Sequence, residues 1–147
     1  DWSSDVCSSD LQTSIAMFDA FISCWDEKYR SNYIRPISVI NKYFNPDWQP
    51  YIQTPPFPEY TSGHAVISAA AAEVMANIFG NDTHYTDSSE MEFGIPARSF
   101  TSIRDAAKEA AISRVYGGIH FKYSCDIGNV QGIQVGTLVV QRLKMKK

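Results

Sequence analysis

Gly128, Gly132 and Gly136 recur four residues apart near the end of the chain, and few features restrict a fold as tightly. On a helix this spacing clears one face of side chains, so that a neighbouring helix can approach backbone to backbone. The alanines at 69 to 72 combine high helix propensity with almost no bulk, which also permits close packing. Hydrophobic periodicity reads as helix through most of the remainder. Ile15, Phe18, Phe21, Ile22 and Trp25 recur at helical spacing over 13–30 and define one face expected to be buried, with Lys28 projecting from its end. Pro36 suits the first turn of a helix over 36–44, and the residue before it, Arg35, is driven out of helical geometry to a break between helices. Five prolines between 45 and 60 make an ordered, extended loop. Ser62 reads as the N-cap of a helix over 63–79 that Gly80 ends; it carries Glu73 and is too short to span a membrane. A polar loop containing His84 follows over 81–100. Thr101 or Ser102 then caps a helix to Tyr116, Gly117-Gly118 interrupts the chain, and a last helix covers 125–144. No strand pair, repeat or disordered linker is expected.

Composition needs one correction before it is used. Residues 1–11, DWSSDVCSSDL, resemble translated sequencing-adapter DNA and are set aside as an artefact, so the domain proper is read as 12–147. Removing Asp1, Asp5 and Asp10 takes the acidic residues from 16 to 13 against 13 basic ones, and the formal charge from −3 to zero. No argument from an acidic surface survives, and nothing in the balance points to nucleic acid. Cys7 leaves with the same segment; Cys24 and Cys125 form no disulfide framework and fix no redox compartment. With 44% hydrophobic and 13% aromatic residues, one domain with a real core is affordable. The chain ends in a basic helix end or tail, Arg142-Leu143-Lys144-Met145-Lys146-Lys147.

Three blocks concentrate the chemistry: Lys28-x6-Arg35-Pro36, Ser62-Gly63-His64 and Ser113-Arg114-x5-His120. They supply three cations, a hydroxyl beside a glycine amide at a helix start, and two imidazoles. Arg presents a planar fork of donors that matches a tetrahedral oxyanion, Lys adds a point charge, and amides at a helix N-terminus point at an anion with the helix dipole behind them. Each residue taken alone has a plainer reading, as a solvated charge, a helix cap or an ordinary polar histidine. The order and spacing of the blocks together favour an oxyanion site.

In that order and spacing, with Pro56-Phe57-Pro58-Glu59-Tyr60 before the central block and Tyr116-Gly117-Gly118 before the last histidine, residues 28–126 resemble the vanadium-dependent haloperoxidases and the related type 2 phosphatidic acid phosphatase superfamily. The resemblance implies an all-α fold, the C-terminal part of a helical bundle of the haloperoxidase and acid phosphatase type, truncated at its N-terminus. It implies vanadate as cofactor, or phosphate as substrate with no cofactor, held by Lys28, Arg35, Ser62, Gly63 and Arg114. His120 would be the apical nitrogen on vanadium or the nucleophile that takes a phosphoryl group. His64 would move protons, Lys28 would polarise bound peroxide, and Phe57 would lie near the halide.

Two positions depart from the family pattern. Thr61 stands where a proline is usual. Ser124 stands four residues after the apical histidine, where an aspartate usually orients the ring, so Asp126 or Ser124 itself is expected to take that role. The resemblance favours a haloperoxidase acting on hydrogen peroxide and a halide, with a phosphatase acting on a phosphate ester as the alternative and an inactive truncated piece as a third. A soluble protein without a membrane span or nucleic-acid partner is expected, periplasmic and secreted locations remaining open, and the oligomeric state is not legible.

Overall fold

The computed structural model describes residues 2–144. Residues 145–147 of the basic tail lie outside the described residues. Four long helices, α1 (Trp2–Ser31), α3 (Gly63–Phe79), α4 (Ile103–Tyr116) and α5 (Lys122–Arg142), form a bundle, with a short α2 (Pro36–Tyr43) after the first. Helix α1 runs unbroken through the adapter-like segment and ends at Ser31.

The small-residue seam sets the architecture. A Cβ on Gly128 would stand 2.9 Å from the Ala65 Cβ, one on Gly132 2.2 Å from the Val66 carbonyl oxygen, and one on Gly136 2.7 Å from the Ala70 carbonyl oxygen. As α5 advances its partners on α3 advance with it, so these two neighbours run parallel. Helix α1 is antiparallel to both: Gln12, in its first half, donates to the Leu143 carbonyl at the end of α5, while Gln131 in the middle of α5 donates to Ser23 in the second half of α1. Helix α4 is likewise antiparallel to α3, with Arg104 on Glu73 in the later half of α3 and Ala111 packed on Ala65. One end of the bundle therefore gathers the N-termini of α3 and α5 with the C-termini of α1 and α4. Partial positive charge at the first pair favours an anion, and partial negative charge at the second favours the cations Lys28 and Arg114 in the last turns there.

The buried face of α1 is only in part the one that periodicity suggests. Ala16, Ala20 and Cys24 are buried, packing with Val66, Ala70, Val74 and Val139; of the five expected positions Ile15 and Trp25 pack against this cluster, whereas Phe18 and Ile22 are 66% and 52% exposed. The small residues at every fourth position, Ala16, Ala20 and Cys24, turn inward where α1 meets α3, and Ile15 and Trp25 pack on the flank of that contact. The 81–100 loop also carries structure that was not expected. Strands β1 (Tyr85–Asp87) and β2 (Arg98–Phe100) pair antiparallel, with Tyr85 opposite Phe100, around a single 3-10 turn at Met91–Phe93. Three mostly exposed residues per strand are too few for an alternating pattern to show. His84 lies just before β1, outside any element.

Candidate oxyanion site

His120 lies in the short connection between α4 and α5, which Gly118 turns with a φ of +77°. Its Nδ1 is 2.7 Å from the Glu59 Oε1, and its Nε2 is 3.1 Å from the Arg35 Nη1. A guanidinium only donates, so Nε2 must accept and the ring proton must sit on Nδ1, donated to Glu59. The Nε2 lone pair therefore faces the Arg35 guanidinium. Burial holds the His120 pKa below the usual histidine value, and Arg35 and Lys28 lower it further against the opposing pull of Glu59. Burial pushes the Glu59 carboxyl upward, but the hydrogen bond from His120, followed by that from the Phe121 amide, brings it below the usual range. The pair is thus a neutral imidazole on an ionised carboxylate.

The carboxylate hydrogen-bonded to the His120 ring is Glu59, on the proline-rich loop, where Asp126 or Ser124 was expected. Asp126 is exposed on α5 and pairs with Lys122 one turn earlier, at 2.6 Å. Ser124 is buried, and its Oγ makes no hydrogen bond to the ring or to any other group. The signal was present in the Pro-Phe-Pro-Glu-Tyr run, but an orienting group 61 positions before its histidine has no spacing rule to reveal it.

Lys28 is fully buried. It donates to the carbonyls of Pro58 (3.0 Å) and Glu59 (2.9 Å), leaving one ammonium proton beyond these two bonds. Burial is the main cause of its pKa falling from the usual 10.5 to about 8. Arg35, N-capping α2 in extended geometry, also donates to the carbonyls of Phe57 and Ile119. The Phe57 ring lies between the two cations, 5.3 Å from the Lys28 Nζ and 5.2 Å from the Arg35 guanidinium carbon. Both cations are fastened to the loop that carries Glu59.

Ser62 occupies the N-cap position of α3, but its hydroxyl does not cap. The Oγ is buried without a well-formed hydrogen bond, only the weakly donating Cys125 thiol being beside it. Its backbone N–H donates to the Ser124 carbonyl at 3.2 Å, joining the first turns of α3 and α5. The Gly63 Cα sits against the Trp25 ring, where a Cβ would come within 3.2 Å. Arg114, in the last turn of α4, keeps a buried Nε with no partner. His64 is exposed on the first turn of α3, and partial burial followed by the charge of Arg114 lowers its pKa. Lys28, Arg35, Glu59 and His120 are thus in direct contact, and Ser62, Gly63, His64 and Arg114 stand around the same end of the bundle. A separate cleft of about 560 Å³ between α3, α4 and α5 is lined by Ala69, Ala72, Arg104 and Ile133, and includes Asp126 but none of these eight residues.

These residues fit an oxyanion. Glu59 is the one carboxylate whose charge acts on Lys28, Arg35 and His120 together, against the cations Lys28, Arg35 and Arg114. Buried polar atoms without partners are rare because each costs about 1–3 kcal/mol, and the Ser62 Oγ and Arg114 Nε are two at the same end of the bundle. The fold defines a helical-bundle protein of the haloperoxidase type. More narrowly, the chain belongs to the family described as the VCPO second helical-bundle domain, whose model matches residues 9–47 and 45–146. Among solved structures it is similar to the first bacterial vanadium-dependent iodoperoxidase, at 54% identity and a TM-score of 0.90, over 93% of this chain and 33% of that one. A bacterial vanadium-dependent chloroperoxidase shares the fold in its holo form (24% identity, TM-score 0.76, 89% of this chain and 34% of that) and its apo form (24%, 0.78, 92% and 36%). The chain spans about a third of the length of these relatives. No curated protein matches it. Among the described residues no helix is long and apolar enough to cross a membrane.

Proposed function

We propose that this chain carries the vanadate site of a vanadium-dependent haloperoxidase that oxidises a halide with hydrogen peroxide. The observation that carries the reading is the bracketing of His120, with Glu59 fixing the proton on Nδ1 and the Nε2 lone pair turned toward the Arg35 guanidinium. Vanadate, when bound, would supply the Lewis acidity that activates peroxide. His120 would provide the nitrogen that holds the group through Nε2, and Arg35, beside that nitrogen, would donate to the anion's oxygens. Lys28, Arg114, the Ser62 hydroxyl and the Gly63 amide would neutralise and orient the remaining oxygens, each charge-assisted contact contributing about 1.5–3 kcal/mol. His64, exposed and held neutral near pH 7, would take the proton from incoming peroxide. Phe57, packed on both cations, would wall the side on which the halide approaches.

The test is halide oxidation by the full-length protein with hydrogen peroxide, measured for iodide and bromide before and after addition of vanadate. Vanadate-dependent turnover is expected. Hydrolysis of a phosphate ester without it would replace this reading with the phosphatase one, in which the same Nε2 attacks phosphorus. The 147-residue chain assayed in parallel shows whether the piece acts alone.

A further inference from the structure

We propose that Gln131, in the middle of α5, is a positioning residue that fixes the two loop segments bearing Glu59 and Ser62-Gly63; the inference rests on the vanadate reading for its functional consequence. Thr61 lies between those segments and is 1% exposed. A proline would fix its φ covalently, but a threonine must be held from outside. Its Oγ1 donates to the Gln131 Oε1 at 2.7 Å, and the Gln131 Nε2 donates to the Ser23 Oγ at 2.9 Å. The Cys24 thiol is 3.5 Å from the Thr61 carbonyl oxygen and 3.6 Å from its Oγ1. A single amide therefore ties the loop to α5 and α1 at once. The Ser62 N–H to Ser124 carbonyl bond pins the next residue to α5 two turns earlier. Both attachments lie on the helix whose glycine seam registers it against α3.

This arrangement does more than satisfy a buried hydroxyl. One residue before Tyr60, Glu59 holds His120; one residue after Thr61, α3 begins with the uncapped serine and glycine. Rotation at residue 61 moves the proton holder and the anion cradle relative to each other. Thr61 and Gln131 should therefore act as a coupled unit on anion binding, with little effect on the middle of α3.

A double-substitution cycle in the full-length protein tests this. Gln131→Met and Thr61→Val should each weaken vanadate binding about tenfold, in the range for groups that orient direct ligands, and the double variant should be within about twofold of either single one because both remove the same contact. Gln131→Glu, which keeps an acceptor for Thr61, should stay within about threefold of the parent. Amide hydrogen exchange without vanadate should accelerate at Gly63 and His64 in Gln131→Met, while Val74 stays unchanged. Additive losses, unchanged exchange at Gly63, or a Gln131→Glu variant as weak as Gln131→Met would each overturn the inference. If the unaltered protein failed to bind vanadate, the functional reading would fall, and exchange at Gly63 and His64 would still decide the role of Gln131.

Discussion

Glu59→Gln is the most informative single substitution. The Glu59 Oε1 accepts both from the His120 Nδ1 at 2.7 Å and from the Phe121 amide at 3.0 Å, in a site 1% exposed. A glutamine oxygen can accept the same two bonds, so shape survives and only the charge is lost. Charge-assisted bonds are roughly twice as strong as neutral ones, a difference of about 1–1.5 kcal/mol here. That corresponds to roughly five- to tenfold weaker support of the basic Nε2, at the low end of the ten- to hundredfold typical of partners that orient a ligating histidine. Glu59→Ala should cost more, because two buried N–H groups lose their acceptor at about 1–3 kcal/mol each. Vanadate affinity by titration calorimetry and vanadate-dependent iodide oxidation, with thermal melts alongside, separate the two variants: Gln should lower affinity and rate with little loss of melting temperature, and Ala should lower all three. Asp126→Asn should change affinity less than about twofold, as exposed pairs contribute little. Parent-like behaviour of Glu59→Gln beside a strong loss in Asp126→Asn would refute the assignment of Glu59.

His120→Ala should abolish turnover and vanadate binding, whereas His64→Ala should leave binding largely intact and slow turnover by about 10²–10⁴-fold, the usual contribution of a proton-transfer group; equal loss of affinity in both would contradict the roles given. Lys28, with its pKa lowered from 10.5 to about 8, binds fewer protons folded than unfolded between those values, so its contribution to stability rises with pH across that window while its ability to hold an anion falls. Anion affinity should drop as pH rises above about 8, and Lys28→Arg should flatten that dependence in titrations run at matched vanadate speciation. Gly132→Ala would place a Cβ 2.2 Å from a backbone oxygen that no side-chain rotation can move. It should destabilise the bundle by about 1–3 kcal/mol or more in thermal melts, and an unchanged melting temperature would show that α3 and α5 are not so closely apposed.

The helix over 63–79 was legible to the residue because a serine start, an alanine run and a glycine stop are local signals. The last helix begins at Lys122 rather than 125, since Phe121 at its N-cap offers no side-chain acceptor to mark the start. The glycine seam was legible as a close approach, but not which helix would fill it. Periodicity in α1 held for Ile15 and Trp25 but misled at Phe18 and Ile22, because the large side chains make the stronger pattern while Ala16, Ala20 and Cys24 take the buried centre of the face. Lys28, Arg35, Ser62 and His120 could be singled out by their chemistry. Glu59 could not, since a buried acid in a proline-rich loop declares its purpose only when the distant histidine is in place.

The parallel course of α3 and α5 has a consequence for the order in which the molecule forms. Two parallel neighbours cannot be joined by a tight turn, so α4 must first travel back along the bundle before α5 can settle. The contacts made when it does, Glu59 to His120 and Arg35 to His120, close separations of 61 and 85 residues. Such long loops lose their entropy before their contacts repay it, which makes these interactions late ones in folding. Helices α1, α3 and α4 can each form from local signals, while the cationic end closes only once the last helix docks. An oxyanion that binds the closed form alone would pull that final step forward by mass action, so that ligand binding and the docking of the last helix would be one linked equilibrium.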